Sequence, residues 1–146
     1  MSATFPVLHV EDDSNDILLL RRAFQKVGVE APPANVVDGL EAEDYLAGRG
    51  AYSDRAKHPL PSLVLLDIKL PKKSGLEVLE WMRAQPDLRL IPVIMLTSSQ
   101  NSGDVRRAYE LGANSYLVKP AEVGALVEMV KALNVYWMTY NRQPTL

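Results

Sequence analysis

A doubly wound α/β fold, a parallel sheet with helices on both faces, is predicted by three observations in this 146-residue chain. Strand-like and helix-like segments alternate five times, the pattern of consecutive βα units. Two of the strand segments, Leu63-Val64-Leu65-Leu66 and Ile91 to Thr97, are continuously apolar, as strands covered on both faces are. Four of the five strands end in polar residues, and parallel strands bring those ends to one edge. In open α/β sheets ligands bind in the crevice beyond that edge.

Phe5 to Val10 reads as the first strand and stops at Glu11-Asp12-Asp13. Ser14 or Asp13 is placed to cap a helix whose apolar positions Ile17, Leu20, Phe24 and Val27 recur at helical spacing, and Gly28 closes it. Asn35-Val36-Val37 is a short strand running into the turn Asp38-Gly39, and Leu40 to Leu46 a short helix ended by Gly48. Arg49 to Pro61 is a polar loop with several breakers, and it reads as a surface excursion. The third strand, Leu63 to Leu66, stops at Asp67, and the chain turns through Leu70-Pro71 into a helix from about Ser74 to Gln85. A buried carboxylate at that point costs desolvation energy unless a partner offsets it, so Asp67 is the first residue to suspect of chemistry. Ile91 to Thr97 is the fourth strand, and a helix from about Ser102 to Leu111 places Val105, Ala108 and Tyr109 on one side before Gly112. Asn114 to Val118 is the last strand and meets Lys119-Pro120. The final helix runs from about Ala121 past Leu133, with Val123, Leu126, Val127, Val130 and Trp137 on its apolar stripe. This order fits a flavodoxin-like (βα)5 arrangement with strand order 2-1-3-4-5.

Composition narrows the function. Apolar residues at 47% and charged residues at 23% are ordinary for a globular protein, so one domain with its own core is expected. A formal net charge of -2 gives no reason to expect nucleic acid or an anionic membrane as partner. The absence of cysteine excludes disulfides, thiolate metal sites and a thiol nucleophile. No apolar run approaches the roughly 20 residues of a membrane span. The first residues lack a basic region followed by an apolar stretch, so a cytoplasmic location follows by default.

The acids after the first strand, Asp67, Thr97 and Lys119 are far apart in sequence and converge at the sheet edge. Clustered carboxylates suit Mg²⁺, which prefers oxygen ligands, and a metal lets an aspartate approach a phosphoryl group. An aspartate is itself a competent phosphoryl acceptor. Lysine supplies a point charge to a phosphoryl oxygen, and threonine a hydroxyl donor. His9 reads as a packed strand residue and His58 as a solvated loop residue. Lys72-Lys73 reads as a solvated basic pair, and Trp81 as a packing or interface residue.

Over about Phe5 to Leu133 the segments VLHVEDD, LVLLDIKLPKKSGLEVL, PVIMLTSS and the tail of NSYLVKP resemble the receiver domain of two-component response regulators. That resemblance implies Asp67 as phosphoacceptor, with Mg²⁺ held by Glu11, Asp12, Asp67 and the backbone carbonyl of Lys69. It implies Thr97, with Ser98, as the switch hydroxyls, Lys119 as the phosphoryl-binding lysine and Tyr116 as the aromatic switch partner. A cis bond between Lys119 and Pro120 is implied as well, which proline permits. Asp13 extends the acidic run, as a further ligand or as a helix cap. The family's phosphodonor is a sensor histidine kinase, and receivers of this kind also catalyse their own slow dephosphorylation. The short aromatic tail 134–146 and the long loop are similar to single-domain regulators that pair with bacterial phytochromes. Members of that group form homodimers through the last helix, which would put Tyr136, Trp137, Met138 and Tyr140 in an interface; the alternative is a tail folded back on its own core.

Three other classes fit these residues less well. A haloacid-dehalogenase-type phosphatase would carry a second aspartate where Lys69 stands, and its acidic pair would come late in the chain. A flavin-binding domain would need a glycine- and hydroxyl-rich loop where Glu11-Asp12-Asp13 stands, and acids there repel a phosphate. A receiver-shaped interaction module that is never phosphorylated has every residue present against it.

Overall fold

In the computed structural model, which describes residues 5–145, five parallel strands form one sheet in the order β2-β1-β3-β4-β5. The strands are β1 (Val7–Val10), β2 (Ala34–Val36), β3 (Leu63–Leu66), β4 (Val93–Thr97) and β5 (Ser115–Val118). Helices α1 (Ser14–Lys26), α2 (Gly39–Ala47), α3 (Gly75–Ala84), α4 (Ser102–Glu110) and α5 (Val123–Leu133) follow them in turn. Side chains alternate across the sheet, and that alternation builds two cores. Val64 and Leu66 of β3, with Val93 and Met95 of β4, face α2, α3 and α4 through Leu46, Val78, Leu79 and Ala108. Leu63, Leu65, Ile94 and Leu96 face α1 and α5 through Leu20, Phe24, Leu126 and Val130.

Local chemistry starts the helices where the sequence suggests. Asp13, rather than Ser14, caps α1, its carboxylate accepting from the Asp16 N–H at 2.9 Å. Asp38 caps α2, and left-handed Gly48 ends it. Ser74 and Glu77 form a reciprocal capping box on α3. The start of α3 also depends on Gly75, because a β-carbon there would sit 1.8 Å from the Asp67 carbonyl oxygen.

Several expectations are corrected. The second strand ends one residue early: the Val37 N–H leaves the sheet for the Glu41 carboxylate at 2.7 Å, and its side chain is exposed. Tyr109 and Val123 face solvent, since only Ala108 of α4 is buried and the inward stripe of α5 starts at Leu126. The 49–61 loop is the surface excursion expected, and it is tied down. Arg55 donates to the Tyr45 and Leu46 carbonyls at the end of α2, and His58 packs edge-on against Tyr45 and Tyr52. Lys73 forms an ion pair with the buried Glu43, fastening the β3–α3 loop to α2, whereas Lys72 stays 64% exposed, 3.5 Å from Asp38. After α5 the chain widens into a π-helical segment, Asn134–Tyr140.

Candidate site at the carboxyl edge of the sheet

The β1–β3 register sets Val10 beside Leu66, so the residues that follow, Glu11 and Asp67, leave the sheet side by side. The Asp67 N–H donates to the Val10 carbonyl at 3.2 Å, fixing the acid's backbone to β1. Asp67 is buried, at 6% exposure. Oδ1 accepts from the Ile68 N–H at 2.7 Å, and Oδ2 lies 3.0 Å from Lys119 Nζ. Glu11 is more deeply buried; its Oε2 accepts from the Asp12 and Asp13 N–H groups, and its Oε1 lies 2.5 Å from Lys119 Nζ. Asp12 is exposed. One oxygen each of Glu11, Asp12 and Asp67 lies within 4.8 Å of the others, a spacing that suits one hard divalent cation. The Lys69 side chain is exposed, and its carbonyl accepts no hydrogen bond among the described residues.

Lys119 arrives from the end of β5, held by its own N–H donating to the Thr97 carbonyl at 2.8 Å. Its ammonium meets three carboxylates: Glu11, Asp67 and, at 2.9 Å, Asp16 on the first turn of α1. Burial opposes the charge on Lys119, but its hydrogen bonds to Glu11, Asp16 and Asp67 outweigh it and hold the ammonium above the ordinary lysine range. Burial pushes the Glu11 carboxyl up to about 7, against the pull of Lys119. The Lys119–Pro120 bond is trans, correcting the expected cis bond. Trans is the lower-energy isomer before proline by about 0.5–1 kcal/mol, and in it the ammonium already reaches its partners.

Thr97 ends β4 buried, its hydroxyl accepting from the Ser99 N–H at 3.3 Å. Ser98 is exposed, whereas Ser99 turns inward and donates to Asp104 at 2.6 Å. Tyr116 is half-buried, and its hydroxyl donates to the Ser99 carbonyl at 2.9 Å. Burial raises its pKa. His9 lies in β1 at 3% exposure, and burial lowers its pKa to about 3, so it is a neutral packed residue. Asp13 is used as the helix cap and stands outside the acidic cluster. Asp16 and the Ser99–Asp104 pair escape the sequence reading. An aspartate in a first helical turn looks like an ordinary response to the helix dipole, and nothing local points from Asp16 to Lys119.

A 2-1-3-4-5 sheet with strand-end acids, hydroxyl and lysine on one edge is the arrangement of a receiver-type signalling domain. The sequence profile of the response regulator receiver domain matches residues 7–131, and the chain belongs to that family. It is 39% identical over 140 residues to the probable methanogenesis regulatory protein FilR2 of Methanothrix harundinacea, covering 96% of this chain and 88% of that protein. It is 38% identical over 132 residues to the response regulator Rcp1 of Synechocystis, covering 90% of this chain and 88% of that one. The structure of Rcp1 in its Mn²⁺-bound form superposes with a TM-score of 0.87 at 36% identity, covering 97% of this chain and all of that one (100%). The phosphorylated cyanobacterial phytochrome response regulator RcpA superposes with a TM-score of 0.90 at 36% identity, covering 98% and 100%. The acidic cluster here and the metal-bound relative together point to a divalent cation. Among the described residues no helix is long and apolar enough to cross a membrane.

Proposed function

We propose that Asp67 accepts a phosphoryl group from a sensor histidine kinase, and that the resulting acyl phosphate switches a protein-binding surface. The observation that carries this reading is the setting of Asp67: a buried carboxylate at a strand end, with one oxygen on a backbone N–H and the other on Lys119, beside Glu11 and Asp12. A carboxylate oxygen forms the new bond to phosphorus as the phosphorus–nitrogen bond of the donor phosphohistidine breaks, and the imidazole keeps that electron pair. Mg²⁺ held by Glu11, Asp12, Asp67 and the Lys69 carbonyl would neutralise charge where phosphate and carboxylates meet. Lys119 supplies a cation to a phosphoryl oxygen, Thr97 a hydroxyl at the end of β4, and Ser98 follows on the same loop. Slow hydrolysis of the acyl phosphate by water resets the protein.

The switch runs through the β4–α4 loop. Tyr116 is tied to the Ser99 carbonyl, so a pull on Thr97 moves the tyrosine's acceptor and repacks the α4–β5–α5 face. The phytochrome regulators among the similar structures favour a phytochrome-type kinase as partner, and a cytoplasmic site of action goes with it. Residues 5–133 form the receiver unit, and the remainder an extension that pairs two copies. The extension divides its labour. Trp137 and Met138 pack against the α1–α5 core, while Tyr136 and Tyr140 are 56% and 79% exposed beside exposed Val135. Tyr136 and Tyr140 are therefore the interface residues of the homodimer, with Trp137 and Met138 beneath them. Sedimentation of the wild type as a dimer and of Tyr136→Ser/Tyr140→Ser as a monomer is expected; a wild type that stays monomeric at every concentration measured would refute the pairing.

Intact mass after incubation with acetyl phosphate and Mg²⁺ tests the main reading. One hydroxylamine-labile phosphoryl adduct is expected, absent in Asp67→Asn and after chelation of the metal. An adduct retained by Asp67→Asn would show that the acceptor lies elsewhere.

A further inference from the structure

The three carboxylates around Lys119 are not equivalent. Glu11 and Asp67 belong, with Asp12, to the cluster that suits a divalent cation; Asp16 does not. Asp67 is also the oxygen donor to phosphorus, and its charge falls when the acyl phosphate forms. Two of the partners that hold the ammonium in this structure thus acquire other duties in the loaded site. Asp16 is the one that keeps its charge and has no second role, and its Oδ2 lies 2.9 Å from Nζ across 103 residues of chain.

Asp16 is well placed to serve as a fixed point. It sits in the first turn of α1, its N–H is held by the Asp13 carboxylate, and α1 is packed onto α5 through Leu20, Phe24 and Val130. Lys119, in contrast, stands beside a small free space. It borders a cavity of about 40 Å³ whose walls include His9, Leu20, Leu96, Pro120 and Leu126. A lysine has four side-chain torsions, and a stem beside empty space keeps its head in place only if something holds it.

We propose that Asp16 is a positioning residue that anchors the Lys119 ammonium over Asp67 once the cation and the phosphoryl group have engaged Glu11 and Asp67. This inference rests on the reading of Asp67 as phosphoacceptor. It assigns Asp16 a task separate from metal binding: loss of its charge lets Lys119 swing back along its stem, and the phosphoryl group loses its cation without loss of the metal.

The test uses the full chain and Asp16→Asn, which preserves side-chain size, with two readouts. In ¹⁵N-lysine-labelled protein, the wild type should show a slowly exchanging ammonium signal that Lys119→Met removes. That signal should persist when Mg²⁺ is added, and Asp16→Asn should lose it in Mg²⁺. In acetyl phosphate labelling, Asp16→Asn should lower the maximal rate constant about five- to twenty-fold, within the range that misplacement of one catalytic group produces. The Mg²⁺ half-saturation should stay within about twofold of wild type, Asp16→Glu should recover part of the rate, and Asp16→Asn should have no further effect in a Lys119→Met background. No held ammonium in the wild type, an equally held one in Asp16→Asn with Mg²⁺, or the same fold loss in the Lys119→Met background would each overturn the proposal. If the wild type takes no label on Asp67, the phosphoacceptor reading fails, and the ammonium signal alone still decides whether Asp16 anchors Lys119.

Discussion

Gly75→Ala should damage the site from behind without touching any of its charged groups. A β-carbon at residue 75 would stand 1.8 Å from the Asp67 carbonyl oxygen and 2.8 Å from its carbon, so the backbone at the start of α3 must retreat by more than 1 Å. Neither neighbour is a flexible side chain. The Asp67 peptide is pinned to β1 through its N–H, and the Gly75 N–H is itself bonded to the Ile68 carbonyl at 2.8 Å. Overpacking costs about 1–3 kcal/mol, and a weakened hydrogen bond about 1 kcal/mol. The gain in helix propensity returns at most about 1 kcal/mol at a first-turn position. The net loss is about 1–3 kcal/mol, which moves a urea midpoint down by about 0.5–2 M for a domain of this size. Gly124→Ala is the matched control: it lies near the start of α5, a β-carbon there meets nothing within 4 Å, and substitution should stabilise by about 0.5–1 kcal/mol. Urea unfolding followed by circular dichroism reads both variants. An unchanged or raised midpoint for Gly75→Ala would refute the close-approach argument, and with it the claim that Asp67 is held by the backbone behind it.

Lys119→Met should lose about 3 kcal/mol of stability at pH 8, because it strands the buried Glu11 and Asp67 carboxylates without their cation. The loss should shrink at pH 6, where the Glu11 carboxyl, raised by burial to about 7, takes up a proton, and a variant as stable as wild type at pH 8 would sink the idea. His9 should make the protein acid-sensitive. Burial depresses its folded pKa to about 3 while the unfolded chain titrates near 6.5, so the unfolded state binds the extra proton and stability falls as pH drops through 6.5 toward 3. Between pH 7 and 5 the wild type should lose about 2 kcal/mol that His9→Leu does not lose, and parallel urea midpoints for the two proteins would contradict this. Addition of a divalent cation should raise the wild-type melting temperature, and Asp12→Asn should blunt that rise, since Asp12 is the exposed member of the acidic cluster.

Much of this molecule is determined within short stretches of its sequence. Strand ends are local events, where an apolar run meets Glu11, Asp67, Thr97 or Lys119, and parallel strands then place those ends on one edge. Helix starts are local too: Asp13, Asp38 and Ser74 each accept from the N–H three residues ahead. Alternating side chains in β3 and β4 dictate which residues enter which core. Tertiary structure alone decides partners that are distant in the chain. It brings Asp16 to Lys119, turns Lys73 from a solvated residue into a clasp on Glu43, and packs His58 among tyrosines. It also selects the trans form of the Lys119–Pro120 bond, exposes Tyr109 and Val123, and turns Trp137 and Met138 inward while leaving Tyr136 and Tyr140 outside. The physical reason is range. Capping and periodicity act over a few residues, whereas an ion pair or a buried ring depends on how separate helices seat on the sheet, and no pattern within either segment encodes its partner.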